Sequence, residues 1–383
     1  MNIATHRLEP WLMRHQNVRY NLGQSGVADQ TVGEILALAG ESPEALGDVS
    51  LRDNDTLGSL ELRQSVASLY GAVEPDQVLV TTGTSEALLL YFAVRYQPGA
   101  NVVVPCPAFQ SLYEVPRYLG YEVRFLPLRP ADGFRPDLDR LSSLVDRHTT
   151  AIVVNTPHNP TGIVFDDAEL RAITGLAERY GAEVLADEHY RFLPHEGVGL
   201  IPSVHGRSPA VVAIGSMIKC LGCVGLRVGW MIGPSELLSA CRDFKDYTTH
   251  TLCGMSDFIA RCVLQRWPEL AAKYKGWMVA NATELSRMVE RHRDVLGFVA
   301  PKAGVVAFPG FRVPLHGHSF AESLIEAHGV FVMPGEAFDM PEHFRVGLGL
   351  EPAAFAQAMA WTSSFIASRG WARAESVRHA RAR

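Results

Sequence analysis

The chain has 383 residues, of which 35 are lysine or arginine and 41 are aspartate or glutamate. This balance excludes the basic surface by which proteins bind duplex nucleic acid or anionic membranes, so we expect a small-molecule partner, no nucleic acid and no membrane. The N-terminal residues lack a basic region followed by an apolar run, and no segment reaches the roughly 18 apolar residues of a membrane span. We therefore expect a cytoplasmic protein. At roughly 150 residues per domain, the length predicts two lobes.

The six cysteines are too few for a disulfide scaffold and fit a reducing compartment. Cys220 and Cys223 form a CLGC pair, which has the spacing of half a zinc site or of a redox motif. No second pair and no nearby pair of histidines completes a metal set. We therefore expect no metal, and metal or redox chemistry at this pair stays an alternative.

Residues 46–282 are predicted to form a large domain in which strands and helices alternate. Between Val78 and Ile232, short β-branched runs such as VLVTTG, NVVVPCP, YEVRFLPL and AIVVN each precede an amphipathic pattern such as SEALLLYFAVRY or DAELRAITGLAERYG. The runs AEVLADE, VVAIGSMI and VGWMIG follow. Continuous apolar strands between helices indicate an α/β fold with a mostly parallel sheet that is covered on both faces.

The two chain ends, residues 1–45 and 283–383, are predicted to form a smaller α+β domain. After residue 283 the sequence has the helical pattern ATELSRMVERHRDVLG, the separated strand-like pieces FVAPKAGVVAFPGF and GVFVMPG, and a closing helix AAFAQAMAWTSSFIASRG. The last twelve residues are basic and have no apolar spacing, which predicts a solvated tail.

Polar residues follow successive strands of the predicted sheet. Ligands of open α/β sheets bind at the carboxyl ends of the strands, so these residues are candidates for a site. The motif GTSEAL places Gly83, Thr84 and Ser85 at a turn from strand to helix, where free backbone N–H groups suit a phosphate. Taken alone, a helix cap by Thr84 or Ser85 is the more common explanation.

The next strands end on residues with more specific chemistry. NTPHNPTG presents Asn159 from a rigid turn, and Asp187 ends an apolar strand three residues before Tyr190. A buried acid is costly without a cation, so Asp187 implies a partner. After VVAIG come Ser216 and Lys219, and Arg227 follows eight residues later; these three side chains complete the pattern.

These motifs, taken together, resemble those of the fold type I aminotransferases of class I/II, which depend on pyridoxal 5′-phosphate, and the resemblance covers nearly the whole chain. It implies that Lys219 carries the cofactor as a Schiff base and that Asp187 pairs with the pyridine nitrogen. Asn159 and Tyr190 would bond the ring oxygen. The other implied contacts are the stacking of Phe109 on the ring and a phosphate site of Gly83, Thr84, Ser85, Ser216 and Arg227.

The same resemblance implies how the substrate is held. Arg345, in HFRVGLG, would bind the α-carboxylate of an amino acid substrate with its planar fork, aided by the backbone at Gly26. Once the substrate displaces Lys219, the freed amine can move the α-proton as a general base. A surface role for Arg345 is the alternative.

Two positions depart from the common pattern of that family. Ile218 stands where a serine often precedes the lysine, and Asp53 stands where many relatives have a tyrosine that reaches the phosphate of the neighbouring subunit. The resemblance therefore implies a homodimer with shared active sites. Because an acid that faces a phosphate would repel it, we expect Asp53 to turn elsewhere or to meet a cationic substrate group. Alternatively, Asp53 caps the helix that begins near Gly58 or pairs with Arg52.

The N-terminal half has a closer resemblance to capreomycidine synthase-like enzymes, which cyclise a hydroxylated arginine. It is carried by QSGVADQTVGEILAL and SLRDNDTLGSLELRQSVA. It implies elimination and cyclisation on an arginine-derived amino acid in specialised metabolism. Ordinary transamination to a 2-oxo acid uses the same cofactor residues and stays open. A cofactor-binding regulator without catalysis is a third interpretation, although the roughly 20 residues before Gly23 leave no room for a DNA-binding module.

Overall fold

The computed structural model describes residues 3–197 and 199–371. The strands are β1 (Tyr20–Leu22), β2 (Val78–Thr81), β3 (Asn101–Cys106), β4 (Glu122–Pro127), β5 (Thr149–Asn155), β6 (Glu183–Asp187), β7 (Val211–Gly215), β8 (Gly229–Ile232), β9 (Leu296–Gly297), β10 (Val306–Ala307), β11 (Gly310–Phe311), β12 (Val330–Pro334) and β13 (Phe344–Gly347). The predicted solvated tail lies outside the described residues.

The α-helices connect these strands and cover them. They are α1 (Glu9–Arg14), α2 (Val32–Ala39), α3 (Leu60–Ala67), α4 (Thr84–Arg95), α5 (Ser111–Leu119), α6 (Leu138–Leu144), α7 (Asp167–Tyr180), α8 (Ser235–Lys245), α9 (Gly254–Gln265), α10 (Trp267–Arg291), α11 (Gly317–His328) and α12 (Pro352–Arg369). Within the described part of the chain, every helix is too short or too polar to span a bilayer.

A seven-stranded sheet forms the large lobe, with the strand order β2-β8-β7-β6-β5-β3-β4. All neighbours are parallel except β8, which is antiparallel to both β2 and β7. Helices α4, α5 and α8 pack in one apolar cluster on the sheet, whereas α6 and α7 contact β4, β5 and β6. The predicted mostly parallel sheet is therefore confirmed, and its buried strands explain the continuous apolar runs.

A four-stranded sheet of order β1-β12-β13-β10 forms the smaller lobe. Strand β1 pairs in parallel with β12, with Tyr20 opposite Val330, so the two chain ends build one sheet as predicted. The predicted helix at residue 282 is the second half of α10, which begins at Trp267. Because α10 passes through the proposed limit at 282/283, the exact limits of the two domains stay a prediction.

Candidate active site

A cavity of about 680 Å³ opens at the carboxyl ends of the central strands. Strands β5 and β6 end side by side, with Asn155 opposite Asp187, and β7 ends on Gly215 next to them. The parallel sheet therefore brings residues that are far apart in sequence to one edge. The predicted residues that line the cavity are Gly26, Thr84, Ser85, Phe109, Lys219 and Arg227.

Lys219 projects into this cavity from the turn that follows β7. Ser216 fixes the turn, because its hydroxyl donates to Val228 O at 2.8 Å and accepts from Ile218 N at 3.1 Å. The Lys219 amine donates to Ser25 Oγ at 3.1 Å. Burial, and then the nearby Arg345 guanidinium, lower the pKa of this amine from its ordinary 10.5 to about 8, although Asp187 opposes the change. Roughly a tenth of the amine is then neutral at pH 7, against about 0.03% for an ordinary lysine, which makes it a usable nucleophile and base.

We use the name floor for the buried groups at the strand ends beside the cavity. Asp187, which ends β6, belongs to the floor and is 7% exposed. Burial raises the pKa of its carboxyl to about 7, while a bond from His189 N at 3.3 Å and the charge of Lys219 lower it. A carboxyl in this state gains most from a cationic donor that enters the cavity. The predicted need of Asp187 for a partner therefore has a structural basis.

Arg345 lies on β13 and is fully buried. Its Nη1 donates to Asn159 Oδ1 at 3.0 Å and its Nη2 to Gly23 O at 2.7 Å, while Nε has no partner among the described residues. Burial lowers the pKa of the guanidinium to about 10, which leaves it charged at neutral pH. The structure thus joins Arg345 and Asn159, and Asn159 is itself held by a bond from its backbone N to Asn155 Oδ1 at 2.7 Å. A buried cation of this kind suits a carboxylate.

Tyr190 lies beside this pair and is also buried. Its hydroxyl donates to Ser25 O at 3.3 Å, and burial raises the pKa of the phenol well above its usual range. Phe109 lines the same cavity, and the Lys219 amine is 5.7 Å from the centre of its ring. The ring of His6 packs on Phe109 with a centroid distance of 5.5 Å.

The start of α4 has the backbone geometry of an anion site. Gly83 is its N-cap residue, with a φ of 79° and no side-chain cap, so neither Thr84 nor Ser85 caps the helix. A methyl group on Gly83 would lie 2.8 Å from Nη2 of Arg227. Arg227 itself has a φ of 53°, a left-handed conformation that is rare without glycine. This strained backbone holds the guanidinium beside the free N–H groups of the helix start.

For two of the predicted residues, Ser216 and Asp53, the structure does not show the predicted contact. The hydroxyl of Ser216 is engaged by protein groups on both sides, so contact with a phosphate requires it to exchange a partner. Asp53 is exposed in the loop before α3 and has no hydrogen-bond or ion-pair partner among the described residues. Ser59, not Asp53, caps α3. Both predicted roles stay predictions.

The cysteine pair lies behind Lys219 as buried free thiols. Cys220 Sγ is 3.6 Å from His189 O, and burial raises the pKa of Cys223 to about 12. Both side chains belong to the apolar core of the large lobe. A thiol held protonated in this way is a poor metal ligand or redox group.

Sequence reasoning missed two buried residues of the site. Ser25 contacts both Lys219 and Tyr190, and His189 lines the cavity with neither ring nitrogen bonded to any described residue. Burial and the charges of Lys219 and Arg227 hold the pKa of His189 well below its usual range, so its ring is neutral. The adjacency of His189 to Asp187 was the one available signal. Ser25 lies beside the predicted Gly26, but nothing in its motif indicates that its hydroxyl reaches the lysine.

The mouth of the cavity was also missed. We use the name mouth for four exposed residues on its outer wall: Glu9, Met13, Gln16 and Asp29. Glu9 is close enough to influence the charge of both Lys219 and Arg345. The mouth therefore combines two carboxylates with an apolar side chain, in front of a cationic interior.

The donor set of the cavity fits pyridoxal phosphate. Lys219 supplies an amine of lowered pKa for its aldehyde, and Asp187 supplies a carboxyl group for its ring nitrogen. The start of α4 at Gly83, with the Arg227 guanidinium beside it, supplies donors for a phosphate. Among the described residues, no cluster of side chains has the composition of a metal site.

Comparisons with known proteins identify the family of the chain. The family model of aminotransferase class I and II matches residues 36–360. Capreomycidine synthase of Streptomyces vinaceus is 32% identical over 346 residues, which cover 89% of this chain and 88% of that protein. Arginine–pyruvate transaminase of Pseudomonas aeruginosa is 30% identical over 315 residues, 78% of each chain. The crystal structure of the PLP-dependent cyclase OrfR has a TM-score of 0.88 and 30% identity, covering 96% of this chain and 98% of that chain. The chain therefore belongs to the class I and II aminotransferase family and is a pyridoxal phosphate-dependent enzyme of fold type I.

Proposed function

We propose that the enzyme acts on an amino acid with a cationic, arginine-like side chain, and that it carries out elimination and ring closure. The observation that carries the proposal is the charge pattern around the cavity: Arg345 is a buried cation whose charge acts on Lys219, and the carboxylates of Glu9 and Asp29 line the mouth. An α-carboxylate and a guanidinium at opposite ends of one substrate match this pattern.

We also propose the roles of the cofactor-side residues. Asp187 would accept a hydrogen bond from the protonated ring nitrogen and keep it protonated, and Asn159 and Tyr190 would bond the ring oxygen. Phe109 packs on the ring face. The phosphate is bound by the start of α4 at Gly83, Thr84 and Ser85, together with Ser216 and Arg227. When bound, pyridoxal phosphate supplies an aldehyde for the substrate amine and an electron-withdrawing ring that weakens the bonds at the α-carbon.

Lys219 has two roles in this proposal. Its amine attaches the cofactor, and after the substrate takes its place the free amine removes the α-proton. A pKa of about 8 suits both steps near neutral pH, because a base acts best when its pKa is close to the working pH. Arg345 and the backbone at Gly26 hold the substrate carboxylate while this proton moves.

The relatives give independent support for the arginine-like substrate. One of the proteins reported above is named an arginine–pyruvate transaminase, another a capreomycidine synthase and a third a PLP-dependent cyclase. They divide between transamination and cyclisation. Transamination is therefore the second candidate, and the residues of the cavity floor serve both reactions equally.

An anaerobic experiment separates the two reactions. The enzyme is mixed in turn with L-arginine, a hydroxylated arginine and L-norleucine, and the cofactor spectrum and the products are recorded. We expect the hydroxylated arginine to lose water while the cofactor spectrum returns to its starting form. Conversion of the cofactor to its amine form together with a 2-oxo acid would instead establish transamination. Equal reaction with L-norleucine would refute the cationic substrate.

We further propose that the enzyme is a homodimer in which Asp53 from a second copy lies near the substrate. Its support is that Asp53 is exposed and unpartnered among the described residues, in a loop that does not reach the cavity of its own chain. Sedimentation velocity tests the assembly. A monomer at micromolar concentration that is fully active would contradict it.

A further inference from the structure

One short segment, residues 23–27, crosses directly over the turn that carries Lys219. Val27 N donates to Lys219 O at 2.9 Å, and Gly23 O accepts from Arg345 Nη2 at 2.7 Å. On its other side the segment packs on the end of β13 and the residues that follow it, where a methyl group on Gly347 would overlap Gln24 O and one on Gly349 would overlap Gly26 O. The segment is therefore fixed between Lys219 and the small lobe.

Ser25 is the residue of this segment that reaches the amine. It is 7% exposed, and its hydroxyl is 3.1 Å from Lys219 Nζ. Its carbonyl accepts from the Tyr190 hydroxyl at 3.3 Å. Among the described residues, this hydroxyl is the single hydrogen-bond partner of the amine; the charges of Asp187, Glu9, Arg227 and Arg345 act on it from further away.

We propose that Ser25 is a positioning residue for the Lys219 amine. A lysine side chain has four rotatable bonds, so a free amine in a 680 Å³ cavity has many positions. By accepting one N–H, the Ser25 hydroxyl keeps the nitrogen at a fixed place, with its lone pair free for the carbon that it attacks or the proton that it takes. Correct placement of a reacting group accounts for large factors in rate. The inference rests on the proposed role of Lys219.

The test follows the attachment of the cofactor rather than turnover. Cofactor-free enzyme is mixed with pyridoxal phosphate in a stopped-flow instrument, and the absorbance of the new C=N bond is recorded. In this step the amine nitrogen bonds to the aldehyde carbon and one water leaves. At saturating pyridoxal phosphate, we expect Ser25→Ala to react about fivefold to twentyfold more slowly than the parent, because the amine is less often in position.

Other readouts separate positioning from general damage. Ser25→Thr keeps the hydroxyl, so we expect it to react within about twofold of the parent. The concentration for half-saturation and the pH midpoint of the rate are expected to be unchanged in Ser25→Ala. Ser68→Ala, a change of an exposed serine outside this cavity, is the matched control and is expected to react like the parent. If Ser25→Ala does not fold, Ser25→Cys, with a weaker acceptor, is expected to react slowly in its place.

Two outcomes would overturn the inference: a parental rate in Ser25→Ala, or an equally slow reaction in Ser25→Thr. Lys219→Ala is measured in parallel. If that variant still forms the bond, the proposed role of Lys219 fails, and the result is then distinct from a failure of Ser25 alone.

Discussion

The floor and the mouth of the cavity differ in burial and in electrostatics. The floor consists of buried groups at strand ends, where burial moves the pKa of Asp187 up to about 7 and that of Lys219 down to about 8. The mouth consists of exposed side chains of the first 29 residues, such as Glu9 and Asp29. Water screens charges at the mouth but not on the floor.

This difference separates chemistry from specificity. The floor carries shifted ionisation states of the kind that bond breaking at an α-carbon requires. The mouth carries ordinary solvated charges, which select among side chains by modest factors. Changes on the floor are therefore expected to abolish or strongly reduce the reaction, whereas changes at the mouth are expected to alter substrate preference.

The largest effect is expected for Lys219→Ala. This variant cannot attach pyridoxal phosphate covalently, so the absorption band of the bound cofactor and the activity should both be lost. Borohydride reduction of the parent followed by peptide mapping should place the label on Lys219. Lys275→Arg, a change of a partly exposed lysine, serves as the control with normal labelling. A label on Lys245 or Lys275 would contradict the assignment.

Asp187→Asn tests the electrostatics of the floor. The variant keeps the shape but not the charge, and we expect turnover to fall roughly 30-fold to 1000-fold, since one charge-assisted contact stabilises the transition state by about 2 to 4 kcal/mol. Near-normal turnover would show that the ring nitrogen does not depend on this acid.

The same variant, although it lowers turnover, should raise the thermal stability of the cofactor-free protein. The pKa of Asp187 is raised to about 7 in the folded state, so ionisation of this carboxyl opposes folding. The free energy of unfolding therefore falls as the pH rises from about 4 to 7, and this loss of stability is complete above pH 7. Asp187→Asn removes this loss. At pH 8 we expect its cofactor-free form to melt roughly 2 to 4 °C higher than the parent, with no gain at pH 4, as measured by calorimetry. A lower melting temperature at pH 8 would contradict the raised pKa.

The sequence predicted the floor well because strand ends of a parallel sheet converge. Once the apolar runs were identified, Asn159, Asp187 and Lys219 had to lie near one edge. The positions of Ser25 and of the mouth residues depend on contacts between the N-terminal segment and the large lobe. One such contact is the bond from Arg7 N to Gln110 Oε1 at 2.8 Å. No local pattern encodes such long-range contacts, and the same reason explains why the start of α10 at Trp267 was missed.

Gly83→Ala tests the phosphate end of the floor. The residue has a φ of 79°, and its new methyl group would lie 2.8 Å from Arg227 Nη2, so Arg227 must move. We expect the affinity for pyridoxal phosphate to fall about tenfold to 100-fold, equivalent to 1.4 to about 3 kcal/mol, in a fluorescence titration. Gly99→Ala is a matched control, because Gly99 has a similar φ of 83° but open space around it. If both variants lost affinity equally, the loss would come from backbone strain alone and not from the displacement of Arg227.

The smallest effects are expected at the mouth. Glu9→Gln and Asp29→Asn each remove one exposed carboxylate, so we expect kcat/KM for the arginine-like substrate to fall only about threefold to tenfold, with no change for L-norleucine. The loss should shrink at high salt, since exposed charges are screened.

Asp53→Asn is compared under the same conditions. If Asp53 from a second copy meets the substrate, its removal should give the same selective loss, and that loss should disappear on dilution below the dimer dissociation constant. An equal loss on cationic and neutral substrates in all three variants would remove the mouth from substrate selection and would favour an ordinary aminotransferase, in which Arg345 alone orients the substrate.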